Sequence, residues 1–313
     1  MDPYTPQSSP LDPPQGTLQS SPLDPPRGTL QSPFPAGYPG PRPEEPPTPS
    51  RRRWVLPLIL YLATIATTFL MIGPAYSLSL MTILTAHELG HYFQARRYGV
   101  PASLPFFIPL PLPPIGTLGA VILMRKQSAR RRALFDVAIT GPIAGLLPAL
   151  AMSYAGLRMS EVTAVDEVQG LKLGEPLLFK LLSYLAIGPV PEGYDVLLHP
   201  IAYAGWVGFF ITALNLIPIG QLDGGHILYS LLPGRAHLLS AGLFAAAITA
   251  VAVGGYWQWT LMLVLLALVG VRHPPMAEGG APLGGVRVVL GWLMLLFVLV
   301  GFTPTPFDLS SLP

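Results

Sequence analysis

The chain has 313 residues, of which 51% are hydrophobic and 11% are charged, and its mean hydropathy is +0.51. An ordinary soluble domain carries about 25% charged residues, so this composition excludes that class and indicates a polytopic membrane protein. The net charge of +2 is too small to favour nucleic-acid binding. Because the chain has no cysteine, it has no disulfides or thiolate metal ligands, and any metal must be bound by histidine, aspartate or glutamate.

Residues 1–53 form a proline-rich segment of low complexity. The sequence SPLDPP occurs at 9–14 and again at 21–26, and GTLQ follows one residue later each time. A segment with so few large apolar residues cannot build a core, so we predict a disordered cytosolic tail that acts as a tether. Docking of a partner protein is the alternative role for this segment.

Apolar segments dominate from Trp54 onward and predict an all-α polytopic membrane protein. We expect about seven transmembrane helices, followed by a short C-terminal tail at 304–313. The predicted spans are 54–72, 77–95, 133–156, 198–217, 236–253, 256–271 and 286–303.

The placement of lysine and arginine predicts the orientation of these spans. With a cytosolic N-terminus, the ten basic residues that flank the first three spans all lie on the cytosolic side. The loop 157–197 then lies on the opposite side, and it holds three basic residues against six acidic ones. We therefore expect a cytosolic N-terminus, and we interpret the basic runs as topology signals.

The second predicted span contains the run His87-Glu88-Leu89-Gly90-His91. Residues four apart share one helix face, so both imidazoles can bind one metal ion. Glu88 lies between them and can take a proton from a metal-bound water. A glutamate at bilayer depth is costly to bury without a function. The pattern therefore favours a zinc hydrolase within the membrane over a pair of core histidines beside a hydrogen-bonded glutamate.

The segment 100–124 is apolar but does not fit a helix. Its six prolines would each break a helical hydrogen-bond ladder, and it ends in the strand-like run GTLGAVI at 116–122. Non-helical backbone at membrane depth is tolerated only where protein or a wet cavity covers it. We interpret this segment as a re-entrant hairpin or loop beside the active site, with an interfacial surface loop as the alternative.

A catalytic zinc needs a third protein ligand and an open position. The candidates near or within predicted spans are Asp136, His199, Asp223, His226 and Asp308. Asp223 is favoured because Pro218 and a glycine pair interrupt the helix there, and because the fourth span ends at the depth of the HELGH run. His199 lies near the opposite face and is set aside. His226 is either a hydrogen-bond partner of Asp223 or a packing residue.

Three sequence features together resemble the site-2 protease family of intramembrane zinc metalloproteases. They are HELGH at 87–91, Phe-Asp followed by the turn GPIAG over 135–145, and Asn-x-x-Pro-x-x-x-Leu-Asp-Gly-Gly at 215–225. The last spacing also resembles the bacterial and plastid branch that is related to the plant EGY proteins. The match covers about residues 77–230, and the motifs occur in the family's order.

The resemblance implies a zinc metalloprotease with a three-helix catalytic core made by the second, third and fourth spans. We place this core, 77–230, in a transmembrane domain at 54–303, whose three last spans lie outside the common core. The resemblance also implies that Glu88 is the general base and that Zn²⁺ is bound by His87, His91 and Asp223. The expected protein lies in a bacterial cytoplasmic membrane, with its active site in the cytosolic half of the bilayer. It is expected to hydrolyse peptide bonds in or near transmembrane segments of membrane-tethered proteins, so its partners are membrane-embedded substrates and the lipid bilayer.

Two further roles and one alternative function remain open at this point. Asn215 lies two turns before Asp223 and is a candidate to stabilise the oxyanion, although it is equally suited to bond a neighbouring helix. The GTLGAVI run is a candidate to hold an unwound substrate as an additional strand. The alternative function is a catalytically silent relative, or a metal-binding transporter or chaperone-like protein.

Overall fold

The computed structural model of this chain describes residues 54–124, 130–165, 172–271 and 282–308. The predicted tail 1–53 lies outside the described residues, as does the part 309–313 of the predicted C-terminal tail. Most described residues are helical, as the composition and the apolar segments predict. The helices are α1 (Val55–Ile72), α2 (Pro74–Arg97), α3 (Arg131–Leu157), α4 (Leu177–Ile187), α5 (Pro200–Asn215), α6 (Asp223–Leu231), α7 (Ala236–Gly254), α8 (Thr260–Val269) and α9 (Gly285–Gly301).

Three of these helices, α1, α3 and α7, are long and apolar enough to cross a membrane. The helices α4, α5 and α9 and the segment 257–268 are apolar but shorter. α2 has 24 residues and is long enough to cross, but it carries the polar HELGH run and ends in two arginines. Length and composition therefore identify a membrane protein, with fewer candidate spans than the seven predicted.

α2, α3 and α5 pack against one another at the centre of the fold. In α3, 67% of the apolar window is buried, compared with 17% in α1 and in α7. Small residues let the helix backbones approach closely, as they do in membrane proteins generally. A Cβ atom at Gly205 of α5 would lie 2.1 Å from Ser153 Oγ of α3, and one at Gly156 would lie 2.1 Å from the backbone nitrogen of Ala202. These three packed helices are the ones predicted to form the catalytic core.

Short antiparallel strand pairs depart from the all-α prediction. The sequence analysis anticipated strand character only at 116–122. The strands of the other pairs have only two or four residues each, which is too short to show a period-2 pattern. The loop predicted at 157–197 likewise contains a helix, α4. The pairs are β1 (Phe106–Pro109) with β2 (Thr117–Val121), β3 (Glu161–Ala164) with β5 (Tyr194–Leu197), and β4 (Lys172–Leu173) with β6 (Phe307–Asp308).

The hairpin of β1 and β2 runs from the end of α2 back to the beginning of that helix. At its tip, the Tyr76 hydroxyl at the start of α2 donates to the Ile115 carbonyl at 2.7 Å. The Tyr203 hydroxyl at the start of α5 donates to the Pro114 carbonyl at 3.1 Å. β1 packs along α1. The segment 100–124 is thus non-helical as predicted, and side chains of the helix bundle bond the tip carbonyls that no strand partner satisfies.

Candidate metal centre

Three side chains that could hold a metal ion converge where α2 meets the start of α6. His87 and His91 lie on successive turns of α2, and Asp223 is the first residue of α6. The Nε2 atoms of the two histidines are 3.2 Å apart. Asp223 Oδ2 lies 3.4 Å from His87 Nε2 and 3.1 Å from His91 Nε2. The structure therefore brings together the three residues that the sequence proposes as ligands.

The hydrogen bond of His91 defines which of its nitrogens faces the cluster. His91 Nδ1 lies 2.7 Å from the Val137 carbonyl. A carbonyl can only accept, so Nδ1 carries a hydrogen, and in the neutral ring Nε2 is left with a lone pair. In that neutral state the lone pair lies against Asp223 Oδ2 at 3.1 Å, and the two acceptors repel each other unless a proton or a metal cation lies between them. A cation between them removes this repulsion, and two imidazoles with one carboxylate form a donor set that zinc uses.

Two glycines of α3 make room for the two histidines. A Cβ atom at Gly141 would lie 2.1 Å from His91 Nε2, and one at Gly145 would lie 3.1 Å from His87 Nδ1. Both pairs are spaced four residues apart, so the glycine face of α3 matches the histidine face of α2. The GPIAG run is not a turn: it lies in the interior of α3, with Pro142 inside the helix, in agreement with the predicted span 133–156.

The chain reverses sharply between α5 and α6, and this reversal delivers Asp223. Gly220 has a φ of +58°, a left-handed conformation that glycine adopts without strain. A Cβ atom at Gly224 would lie 1.9 Å from the Leu216 carbonyl oxygen, and one at Gly225 would lie 2.3 Å from that of Gly220. Only residues without a side chain fit where α6 folds back onto the preceding loop. Gly224 and Gly225 are therefore needed for the start of α6 to pack against the loop before it.

The remaining residues singled out from sequence occupy different places around this cluster. Glu88 is buried, with 5% of its surface exposed, and it neighbours His87 on α2. His226 is buried one turn after Asp223 on α6. Asn215 is half-buried at the last residue of α5. His199 caps the opposite end of α5, where its side chain accepts a hydrogen bond from the Ile201 backbone N–H at 3.3 Å.

Asp136 is not part of the cluster and has its own partners. Arg287 of α9 donates from Nε to Asp136 Oδ1 at 2.7 Å and from Nη2 to Oδ2 at 2.9 Å. The Tyr98 hydroxyl, just beyond the end of α2, also donates to this carboxylate. The sequence analysis missed Arg287 and Tyr98, because no local spacing relates residues that far apart in the chain.

Arg131, at the start of α3, binds the other end of α6. Its Nε donates to the Ser230 carbonyl at 2.7 Å and its Nη2 donates to the Leu231 carbonyl at 3.2 Å. These carbonyls lie at the C-terminal end of a helix, where a cation is favoured. The last turn of α6, the helix that begins with Asp223, is thus bound to the first turn of α3.

Known proteins resemble this chain over its central region. Residues 75–254, more than half of the chain, match the family described as Peptidase family M50. The probable zinc metalloprotease EGY2, chloroplastic, of Arabidopsis thaliana is 29% identical over 235 residues, which are 73% of this chain and 41% of that protein. The probable zinc metalloprotease EGY1, chloroplastic, of Oryza sativa subsp. japonica is 33% identical over 168 residues, 52% of this chain and 28% of that protein.

This chain spans less than half the length of these relatives. No solved structure matches it significantly. The region matched by the family includes α2, α3, α5 and α6, and with them the three converging side chains. On this ground the chain belongs to peptidase family M50.

Proposed function

We propose that this chain is an intramembrane zinc endopeptidase that hydrolyses peptide bonds in or near transmembrane segments of membrane-tethered proteins. The observation that carries the proposal is the convergence of His87, His91 and Asp223 inside an apolar helix bundle, with Glu88 beside them. Membership of peptidase family M50 and similarity to proteins named zinc metalloproteases support it.

In this proposal His87, His91 and Asp223 hold the zinc ion. Zinc held there would supply a Lewis acid that polarises a scissile carbonyl and makes water a stronger nucleophile. Glu88 accepts the proton of the attacking water and later donates it to the leaving amine. The Val137 carbonyl keeps His91 in the tautomer whose Nε2 is free to bind a metal.

Asn215 is proposed to donate a hydrogen bond to the oxyanion that develops on the scissile carbonyl. It is the last residue of α5, directly before the loop 216–222 that leads to Asp223. Within the described ranges its side-chain amide makes no hydrogen bond, which leaves its N–H groups available to a substrate oxygen. Its other possible role is to bond a neighbouring helix.

β2 is proposed to bind the substrate as an added strand. A transmembrane substrate hides its peptide bonds in its own helical ladder, so it must unwind before attack. β2 pairs with β1 on one side only within the described residues, which leaves its other edge open to an extended peptide.

We further propose a bacterial cytoplasmic membrane, a cytosolic N-terminus and an active site in the cytosolic half of the bilayer. In this topology all seven predicted spans cross, and the β1–β2 hairpin is re-entrant. The distribution of basic residues supports the orientation. The names of the EGY relatives assign those proteins to the chloroplast, so fractionation of the source cells is the test of the compartment.

The same proposal divides the chain into a tail at 1–53, a catalytic membrane domain at 54–303 with its core at 77–230, and a short C-terminal tail at 304–313. Its partners are single-span membrane proteins within the bilayer. A comparison of membrane proteomes from cells with the active chain and with the Glu88→Gln variant would identify them as proteins that accumulate uncleaved.

The decisive experiment replaces Glu88 by glutamine in the purified, detergent-solubilised protein. Loss of a general acid–base group lowers rates by about 100- to 10,000-fold, so cleavage of a membrane substrate should fall at least that far while zinc content stays equal to the wild type. Glu161→Gln on β3 is the matched control, because this exposed glutamate lies outside the core and its replacement should leave cleavage unchanged.

Two results would reject the proposal. Cleavage by the Glu88→Gln variant at the wild-type rate would exclude Glu88 as the proton acceptor. A wild-type chain that binds zinc and cleaves no membrane protein would favour the silent relative or the metal-binding transporter.

A further inference from the structure

Asp136 joins three helices through one carboxylate. Arg287 of α9 binds both of its oxygens, in a bidentate pair with distances of 2.7 and 2.9 Å. Tyr98, which directly follows the histidine-bearing helix α2, donates its hydroxyl to the same carboxylate. The hydrogen bond to Asp136 raises the pKa of the Tyr98 hydroxyl further above neutral pH. Asp136 itself is 8% exposed, so its charge depends on these partners.

The residue next to Asp136 controls a metal-binding histidine. The Val137 carbonyl accepts from His91 Nδ1 at 2.7 Å. One turn further along α3, the Thr140 hydroxyl lies 2.9 Å from the Asp136 carbonyl and 3.2 Å from the Gly90 carbonyl of α2. A shift of α3 at Asp136 would therefore move the Val137 carbonyl that bonds the His91 ring.

α9 packs closely against both α3, which positions His91, and α6, which carries Asp223. Gly291 lies one turn after Arg287, on the same face of α9. A Cβ atom at Gly291 would lie 2.8 Å from a ring carbon of Phe135 in α3 and 3.1 Å from a methyl carbon of Leu231 in α6. The same face thus contacts the helix that positions His91 and the helix that carries Asp223. α9 lies beyond residues 75–254, the region that matches the family.

We propose that Arg287 is a positioning residue for the metal centre: through Asp136 it fixes α3 at the register in which the Val137 carbonyl orients His91. Loss of the guanidinium leaves a largely buried carboxylate with the Tyr98 hydroxyl as its hydrogen-bond donor and with Arg132 as the nearby cation, and a buried charge that loses its bidentate partner is stabilised by moving toward water. Movement of Asp136 pulls Val137 away from His91, and the ring loses its fixed tautomer and orientation. This inference rests on the proposed zinc site, and it extends that site to a helix outside the matched region.

The test measures the zinc dissociation constant of the full-length solubilised protein by chelator competition, independently of cleavage. Removal of groups that orient a metal ligand weakens binding by about 10- to 100-fold, and this is the loss expected for Arg287→Ala. Arg287→Lys keeps one charged donor for Asp136 and should recover part of the affinity. The double variant Arg287→Ala with Asp136→Ala should lose less than the sum of the two single losses.

Arg158→Ala is the matched control. Arg158 also ties α3 to another helix, by donating from Nη1 to the Ala186 carbonyl of α4 at 2.6 Å, but it does so at the far end of α3. Both alanine variants are expected to lower the Tm, and only Arg287→Ala is expected to lower zinc affinity.

Equal zinc affinities for wild type and Arg287→Ala, or equal losses in Arg287→Ala and Arg158→Ala, would overturn the inference. The proposed protease function fails on a different observation, the absence of cleavage by the zinc-loaded wild type. The two failures are therefore distinguishable in one set of preparations.

Discussion

His91 is held from two sides by α3. Its Nδ1 donates to the Val137 carbonyl, and its ring lies against Gly141, where a Cβ atom would approach Nε2 to 2.1 Å. A single helix thus orients the ring and leaves it the space to reach the cluster. Adding even a methyl group at Gly141 would therefore displace the His91 ring from the proposed metal centre.

Gly141→Ala is expected to abolish stoichiometric zinc binding, with affinity reduced by about 100-fold or more, because the new methyl group occupies the position of the metal-binding nitrogen. Gly145→Ala should have a milder effect, since its Cβ would lie 3.0 Å from the nearest His87 atom. Metal analysis of the purified variants measures both effects.

Gly242→Ala on α7 provides the control, because nothing lies within 4 Å of a Cβ atom there. In a helix interior this change is expected to raise the free energy of unfolding by about 0.5–1 kcal/mol, with zinc content unchanged. Full zinc occupancy in Gly141→Ala would show that the His91 ring does not need the space this glycine provides.

At the scale of elements, the helices of the core are largely predictable and their contacts are not. The predicted spans 77–95, 133–156 and 198–217 correspond to α2, α3 and α5 within a few residues. GPIAG is helical, as the predicted span 133–156 requires, and not the turn that its proline and glycines suggest: Pro142 costs one internal hydrogen bond, a loss that the close packing of α3 on α2 outweighs. Local propensity is a weak signal wherever a helix is surrounded by protein.

The β1–β2 hairpin is the element whose role is most open to test. Adjacent residues in an antiparallel strand alternate between bonding the partner and facing the free edge. Of Ala120 and Val121, one therefore bonds β1 and the other presents its N–H outward. Ala120→Pro and Val121→Pro remove these N–H groups in turn, and both should reduce cleavage of a membrane substrate while zinc content is retained.

Ala120→Ser keeps the backbone N–H and should cleave at a rate close to the wild type. Parallel measurement of zinc content and of the initial cleavage rate separates damage to the hairpin from damage to the metal centre. Wild-type cleavage by both proline variants would mean that the substrate is not bound as an additional strand.

At the scale of the whole molecule, the metal centre links segments that are distant in sequence. His87 and His91 belong to α2, whereas Asp223 begins α6, 132 residues after His91. A ligand that binds only the folded state stabilises it by mass action, by about 2.7 kcal/mol when its free concentration is 100 times the dissociation constant.

Removal of zinc by a chelator is accordingly expected to lower the Tm by roughly 5 °C, and added zinc should restore it. Asp223→Ala is the control, because with one ligand lost its Tm should respond little to the chelator. A thermal unfolding scan of the solubilised protein measures both. A Tm that is the same with and without zinc would mean that the three side chains do not bind the ion in the folded state.

The sequence by itself determined the features that depend on spacing along one segment. Four-residue spacing put His87 and His91 on one helix face, prolines kept the segment 100–124 out of a helix, and composition identified a membrane protein. Only the tertiary structure decided that Gly141 faces His91 and that Arg287 and Tyr98 bind Asp136. Helix spacing is a property of the local backbone, whereas contacts between distant helices depend on how all their side chains pack together.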